Sequence, residues 1–190
     1  MSVSDVFIVH RSSFIVHLHR SSFKSMLIIT LLLALLPVHA ADVTTVILVR
    51  HAEKAVTVED DAPLNANGVA RARELARVLA DVPIDAIYTT QWVRARDTAS
   101  PLARVRGIEP LVMNTSKTYA ADLAKTIREK HQGQTILVVG HSNSTPNVMR
   151  ELGVENPPQI DESRYDDLFV CTIAGGQTRM LPLRYGAPVR

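Results

Sequence analysis

Two runs of β-branched and apolar residues, TTVILV at 44–49 and TILVV at 135–139, constrain this chain more than any other feature. Neither run alternates with polar residues, so both read as strands buried on two faces. Strands of that kind belong to sheets covered by helices on both sides. The sequence around them supplies the cover. Asn65 is placed to cap a helix running to about Leu79, with apolar positions at Val69, Leu75, Val78 and Leu79. Ile84 to Tyr88 reads as a short strand. A helix is expected over 93–105, bent at Pro101. Leu111 to Met113 is a weak strand, and Ala120 to His131 a helix ended by Gly133. Ser144 or Thr145 caps a helix to about Leu152. The remainder, Leu168 to Ala174, the Gly175-Gly176 turn and Thr178 to Leu183, reads as a hairpin. Alternating strands and helices specify an α/β fold: a mostly parallel central sheet, helices on both faces, and a C-terminal antiparallel hairpin. Neither repeats nor linkers interrupt residues 41–190, which are read as a single domain.

The N-terminal part has a different character. Met26 to Leu36 (MLIITLLLALL) follows Lys24 and precedes PVHA-A, with Val38 and Ala40 at the positions a cleavage site requires. The run is shorter than the ~18 apolar residues a spanning helix needs. It reads as a secretory signal peptide cut after Ala40. Residues 1–40 are therefore a leader, and the expected product is exported, periplasmic or secreted, with no stable membrane anchor. Residues 1–25 hold the near repeat FIVHRSSF and IVHLHRSSF. A translation start at Met26 is one reading of that segment; a basic surface arm is the other.

Composition narrows the function classes. The chain is 46% hydrophobic and 21% charged, ordinary for a globular domain. Past residue 40 it carries 18 basic and 18 acidic side chains, which gives no nucleic-acid-binding surface. The single cysteine, Cys171, lies in LFVCTIA and reads as a packed strand residue; one cysteine excludes an intramolecular disulfide and a cysteine-rich metal site. Three histidines remain past residue 40: His51, His131 and His141.

Charged residues cluster where the strands end. Arg50 and His51 follow the first strand, Arg94 lies just past the second, and Gly140, His141, Ser142 and Asn143 follow TILVV. Open α/β sheets bind ligands outside the carboxyl ends of their strands. If these strands are parallel neighbours, two histidines and two arginines share one pocket. Arginine offers a planar fork matched to phosphate oxygens, and the helix after Asn143 adds backbone N–H donors. A dianionic phosphoryl group suits such a pocket, and a neutral histidine beside it can act as a nucleophile.

LVRHAEK at 48–54, LNANGVARA at 64–72, YTTQWVRARDTA at 88–99 and VVGHSN at 138–143 together resemble the histidine phosphatase superfamily, the phosphoglycerate mutase-like fold. The resemblance implies that His51 accepts the phosphoryl group, that Arg50, Arg94 and His141 bind the phosphate, and that water hydrolyses the phosphohistidine with no metal and no cofactor. The expected activity is a metal-independent phosphomonoester phosphatase acting on a small phosphorylated substrate. A phosphohistidine or phosphoprotein phosphatase and a non-catalytic phosphate- or sugar-phosphate-binding module are the alternatives. The family's usual proton donor lies between the positions of Arg94 and His141, where this chain has only the short stretch 107–119 and then Asp122. That shortness disfavours mutase activity and leaves Glu53 and Asp122 as candidates for the acid. Glu53 is equally placed for a salt bridge to Lys54 or to a helix residue. Trp92 and Tyr88 are expected in the core rather than at a substrate rim, and His131 is expected to be a solvated helix end. Residues 52–63, 107–119 and 157–165 are the segments expected to select the substrate, and the oligomeric state is open.

Overall fold

A computed structural model describes residues 42–188; the expected leader lies outside the described residues. Six strands form one sheet: β1 (Thr44–Arg50), β2 (Ala86–Thr89), β3 (Leu111–Val112), β4 (Thr135–Gly140), β5 (Asp167–Ala174) and β6 (Gln177–Arg184). Their spatial order is β3-β2-β4-β1-β5-β6. The first four are mutually parallel; β5 runs antiparallel to β1, and β6 antiparallel to β5. Four helices connect them: α1 (Ala66–Val78), α2 (Val93–Arg106), α3 (Tyr119–Lys130) and α4 (Ser144–Glu151).

The period-2 geometry of a strand divides the core into two layers. Val46 and Leu48 of β1, with Ile136 and Val138 of β4, face Leu123 and Ile127 of α3 and Met149 of α4. Ile47 and Val49, with Leu137 and Val139, face Leu75 of α1 and Ala99 and Leu102 of α2. Both central strands are thus buried on two faces, as their unbroken apolar sequences require. Cys171 packs in the first layer and is fully buried.

The helix ends follow local chemistry. The Asn65 side chain accepts a hydrogen bond from the Gly68 N–H at 2.9 Å, an N-cap at the start of α1. Gly68 is fixed by packing: a Cβ there would lie 2.2 Å from the carbonyl oxygen of Glu53. Pro101 lies inside α2, which continues unbroken to Arg106. Leu102 and Ala103, just past the proline, are buried against the sheet layer, and that packing outweighs a backbone penalty of about 3 kcal/mol. The β5–β6 turn places Gly175 and Gly176 at φ 56° and 77°, the left-handed pair that a two-residue hairpin favours. Among the described residues no helix is long and apolar enough to cross a membrane.

Candidate active site

The β1–β4 ladder builds the site. Its register pairs Arg50 with Gly140, the last residues of the two strands, and the His51 N–H donates to the Gly140 carbonyl at 2.9 Å. The next residue on each strand is a histidine, so parallel pairing sets the two imidazoles side by side. Their ring centroids are 5.2 Å apart at 64°. Gly140 permits this turn: a Cβ would stand 2.8 Å from Thr145 Oγ1 and 3.0 Å from Ser144 Oγ. The Ser144 hydroxyl accepts from the His141 N–H at 2.9 Å, tying the histidine to the start of α4.

His51 is almost fully buried, at 3% exposure. Its Nδ1 lies 2.8 Å from the Ala52 carbonyl oxygen. A carbonyl only accepts, so Nδ1 carries the proton and Nε2 presents a lone pair. Arg94, in the first turn of α2, places its Nε 3.3 Å from that Nε2. Thr98, one turn on, secures this arrangement from behind. Its hydroxyl accepts from the Ala52 N–H at 2.9 Å and donates to the Arg94 carbonyl at 2.7 Å. Burial, with His141, Arg50 and Arg94 nearby, pushes the His51 imidazole down to about 3. Burial and the two arginines push His141 down to about 4, against the opposing pull of Glu162. Both rings are neutral near pH 7. His141 Nε2 lies 2.9 Å from the Thr90 hydroxyl.

Arg50 is wrapped by the segment 161–165. Its Nη1 donates to the carbonyls of Asp161, Glu162 and Arg164 at 3.0, 2.7 and 3.1 Å. Its Nη2 donates to Glu162 Oε2 at 2.6 Å, and its guanidinium carbon stands 4.1 Å from the centre of the Tyr165 ring. The other carboxylate oxygen of Glu162 bonds the Ser142 hydroxyl. A cavity of about 410 Å³ opens over these groups, with Lys54, Lys117 and Tyr119 on its walls. The Tyr119 hydroxyl, pushed up to about 12 by burial, has no partner among the described residues.

Four of the sequence-derived site residues, Arg50, His51, Arg94 and His141, therefore meet around one cavity. Glu53 does not. Arg71 of α1 takes its carboxylate in a fork, through Nε at 3.0 Å to both oxygens and Nη2 at 2.8 Å to one. The same guanidinium donates to the Tyr185 and Ala187 carbonyls, at 2.9 Å each. Glu53 thus follows its alternative expectation, an ion pair with a helix residue, and faces away from the cavity. Asp122 is exposed on the first turn of α3 and does not line the cavity either. Two further expectations are corrected. Trp92 lines the cavity, half-buried, with the Arg94 guanidinium carbon 4.8 Å from its ring centre. His131 is half-buried rather than solvated: its Nδ1 donates to Gln134 Oε1 at 2.6 Å, and its Nε2 lies 2.8 Å from the Tyr88 hydroxyl. Sequence reasoning did not single out Thr90 and Thr98, although both lie within YTTQWVRARDTA, nor Glu162, which lies in the 157–165 segment expected to select the substrate. Among the described residues no group of three or more His, Cys, Asp or Glu side chains could hold a metal ion.

With this geometry in hand, similarity to known proteins is informative. Residues 46–116 match the family model of the histidine phosphatase superfamily (branch 1). No curated protein matches the chain. Solved structures do. The protein histidine phosphatase SixA complexed with tungstate is 19% identical, covers 74% of this chain and 96% of its own, and has a TM-score of 0.60. A putative phosphohistidine phosphatase SixA from Agrobacterium tumefaciens is 23% identical, covering 76% and 98%, with a TM-score of 0.56. A phosphoserine phosphatase mutant from Entamoeba histolytica, in complex with phosphoserine, is 16% identical, covering 76% and 97%, with a TM-score of 0.58. At these identities the structures establish the fold. Residues 46–116 thus carry the sequence signature of the histidine phosphatase superfamily, on a fold that this chain shares with phosphatases of known structure.

Proposed function

We propose that this chain is an exported, metal-independent phosphomonoester phosphatase that works through a phosphohistidine on His51. One observation carries the reading: a buried, neutral His51 presents Nε2 to the cavity while Ala52 holds Nδ1 and Arg94 stands 3.3 Å from the attacking nitrogen. The lone pair attacks phosphorus. The phosphoryl oxygens, as charge redistributes, are met by the Arg94 guanidinium and by the polar hydrogens of the His141–Ser142 turn at the start of α4. Water then attacks the phosphohistidine, and phosphate leaves. The family match over 46–116 supports the reaction class. Export rests on the Met26–Leu36 run and the small residues after it.

The test uses protein beginning at Ala41, an aryl phosphate and a metal chelator. Turnover is expected to persist with chelator and to disappear in His51→Ala, and a rapid alkaline detergent quench is expected to trap phosphate that is alkali-stable and acid-labile on the wild type alone. Turnover that stops on chelation overturns the metal-independent reaction. Binding of phosphate without any labelled protein leaves only a phosphate-binding module. N-terminal sequencing of the cell-envelope product tests cleavage after Ala40.

A phosphohistidine phosphatase is the second reading. Two matched structures are described as such enzymes or their putative members, and no carboxylate of residues 107–119 lines the cavity. A phosphorylated imidazole is a good leaving group and needs less help from an acid. A phosphohistidine peptide hydrolysed far faster than any phosphomonoester would favour this reading.

A further inference from the structure

A phosphomonoester with an alkyl leaving group needs a proton at the departing oxygen. Neither carboxylate that the sequence offered for this is placed to deliver one: Glu53 is held by Arg71, and Asp122 lies on the outer surface of α3. Among the described residues lining the cavity, Glu162 is the only carboxylate. It comes from the segment between α4 and β5, outside every motif that marks the site in the sequence.

We propose that Glu162 is the general acid of the first step and the general base of the second; the inference rests on the phosphatase reading above. Three geometric facts support it. Glu162 bridges Arg50 Nη2 and the Ser142 hydroxyl, so its carboxylate touches two groups beside the phosphoryl site. Its side chain is 79% exposed while His51 is 3% exposed. The nucleophile therefore lies at the floor of the cavity and the carboxylate at its mouth. In-line displacement expels the leaving group away from the nucleophile, toward that mouth. Finally, Arg50 Nη1 grips the carbonyls of Asp161, Glu162 and Arg164 independently of the carboxylate. The backbone stays anchored when the side chain lets go.

An arriving phosphoryl group competes with the carboxylate for Arg50 Nη2 and Ser142. Once displaced, Glu162 stands beside the phosphoryl anion and takes up a proton from solvent. His51 Nε2 then attacks phosphorus, the ester P–O bond breaks with its electron pair on the departing oxygen, and the Glu162 carboxyl proton passes to that oxygen. The alcohol leaves and Glu162 is a carboxylate again. In the second step a water oxygen bonds to phosphorus while Glu162 takes the water proton. The P–N bond breaks and its electron pair returns to Nε2. Hydrogen phosphate leaves, His51 is neutral, and Glu162 is protonated as it was before attack.

The experiment compares Glu162→Gln with wild type on a simple alkyl phosphate and on p-nitrophenyl phosphate, whose leaving group needs little protonation. Turnover of the alkyl ester is expected to fall about 10²-fold or more. The aryl ester is expected to lose several-fold less, and to give a burst of about one nitrophenol per protein with acid-labile phosphate accumulating. Wild type, which hydrolyses the phosphohistidine faster, is expected to give a much smaller burst, with only a minor fraction of its molecules labelled. Equal losses on both esters without a burst would overturn the proposal and leave Glu162 as a prop for Arg50. Faster turnover of both esters with a lower KM would also overturn it, showing a carboxylate that only competes with phosphate. If wild type hydrolyses neither ester and takes up no label, the phosphatase reading itself fails. Circular dichroism of the variant, altered at an exposed side chain, confirms folding.

Discussion

Arg94 Nε lies 3.3 Å from His51 Nε2, the closest approach of a cation to the lone pair that the site presents. In the proposed reaction a guanidinium so placed would meet the phosphoryl oxygens as soon as phosphorus bonds to the histidine. Its plane also rests near the Trp92 ring, 4.8 Å from the guanidinium carbon. Arg94→Lys keeps the charge but loses the fork and the stacking. Turnover of an aryl phosphate is expected to fall about 10²–10³-fold in Arg94→Ala, the usual consequence of removing one preorganised donor, and only partly less in Arg94→Lys. Steady-state kinetics that show full activity in the lysine variant would remove the bidentate role.

The two site imidazoles make acid sensitivity predictable. An unfolded histidine titrates near ~6.5, whereas folding holds His51 at about 3 and His141 at about 4, mainly through burial. As pH falls below ~6.5 the unfolded chain takes up protons that the folded site refuses, so folding stability declines toward pH 4. Urea denaturation at a series of pH values is expected to show this slope, and His51→Gln to flatten it. His51, the proposed nucleophile, stays unprotonated throughout, so kcat/KM, corrected for substrate ionisation, is expected to show no imidazole limb between pH 7 and 5. An acid limb centred near ~6.5, the free imidazole value, would contradict the buried, neutral histidine.

Glu53 and Arg71 form a buried ion pair, with side chains 15% and 5% exposed. Breaking such a pair costs about 3–5 kcal/mol because one charge stays buried without its partner. Glu53→Gln is expected to lower the Tm sharply while each folded molecule keeps most of its aryl phosphatase activity. An unchanged Tm combined with lost turnover would return Glu53 to the chemistry.

Thr98 connects the Ala52 N–H, next to His51, to the Arg94 carbonyl through a single hydroxyl. Thr98→Val keeps the shape but leaves the buried Ala52 N–H without an acceptor, a penalty of about 1–3 kcal/mol. Since the Ala52 carbonyl orients His51, kcat is expected to fall more than KM changes, and Thr98→Ser to restore both. Identical kcat in the valine and serine variants would reduce Thr98 to a packing residue.

The parts of this design that were legible in the sequence are those with a local cause. β1 and β4 are apolar on two faces, and a histidine follows within one residue of the end of each, so the pocket followed from parallel pairing. Asn65 marked its helix because a short polar side chain competes well for the first free N–H groups. The hairpin turn was marked by two adjacent glycines. What was hidden depends on contacts between distant segments. Glu162 reaches Arg50 across 112 positions, and an acidic residue in an irregular segment has no period to betray it. Thr90 and Thr98 act through ordinary hydroxyls. His131 is held by Tyr88 from β2, a consequence of how α3 packs on the sheet. Pro101 signalled a bend, and tertiary packing lets the helix run on past it to Arg106.

The pairing of Arg50 with Gly140 has a consequence for how this protein comes together. His51 and His141 are carried by segments made far apart in time during synthesis, and the proposed anion site cannot form before the ladder between them closes. Oxyanion capture, by phosphate or a mimic such as tungstate, would therefore serve as a clock for the arrival of the centre of the sheet during refolding.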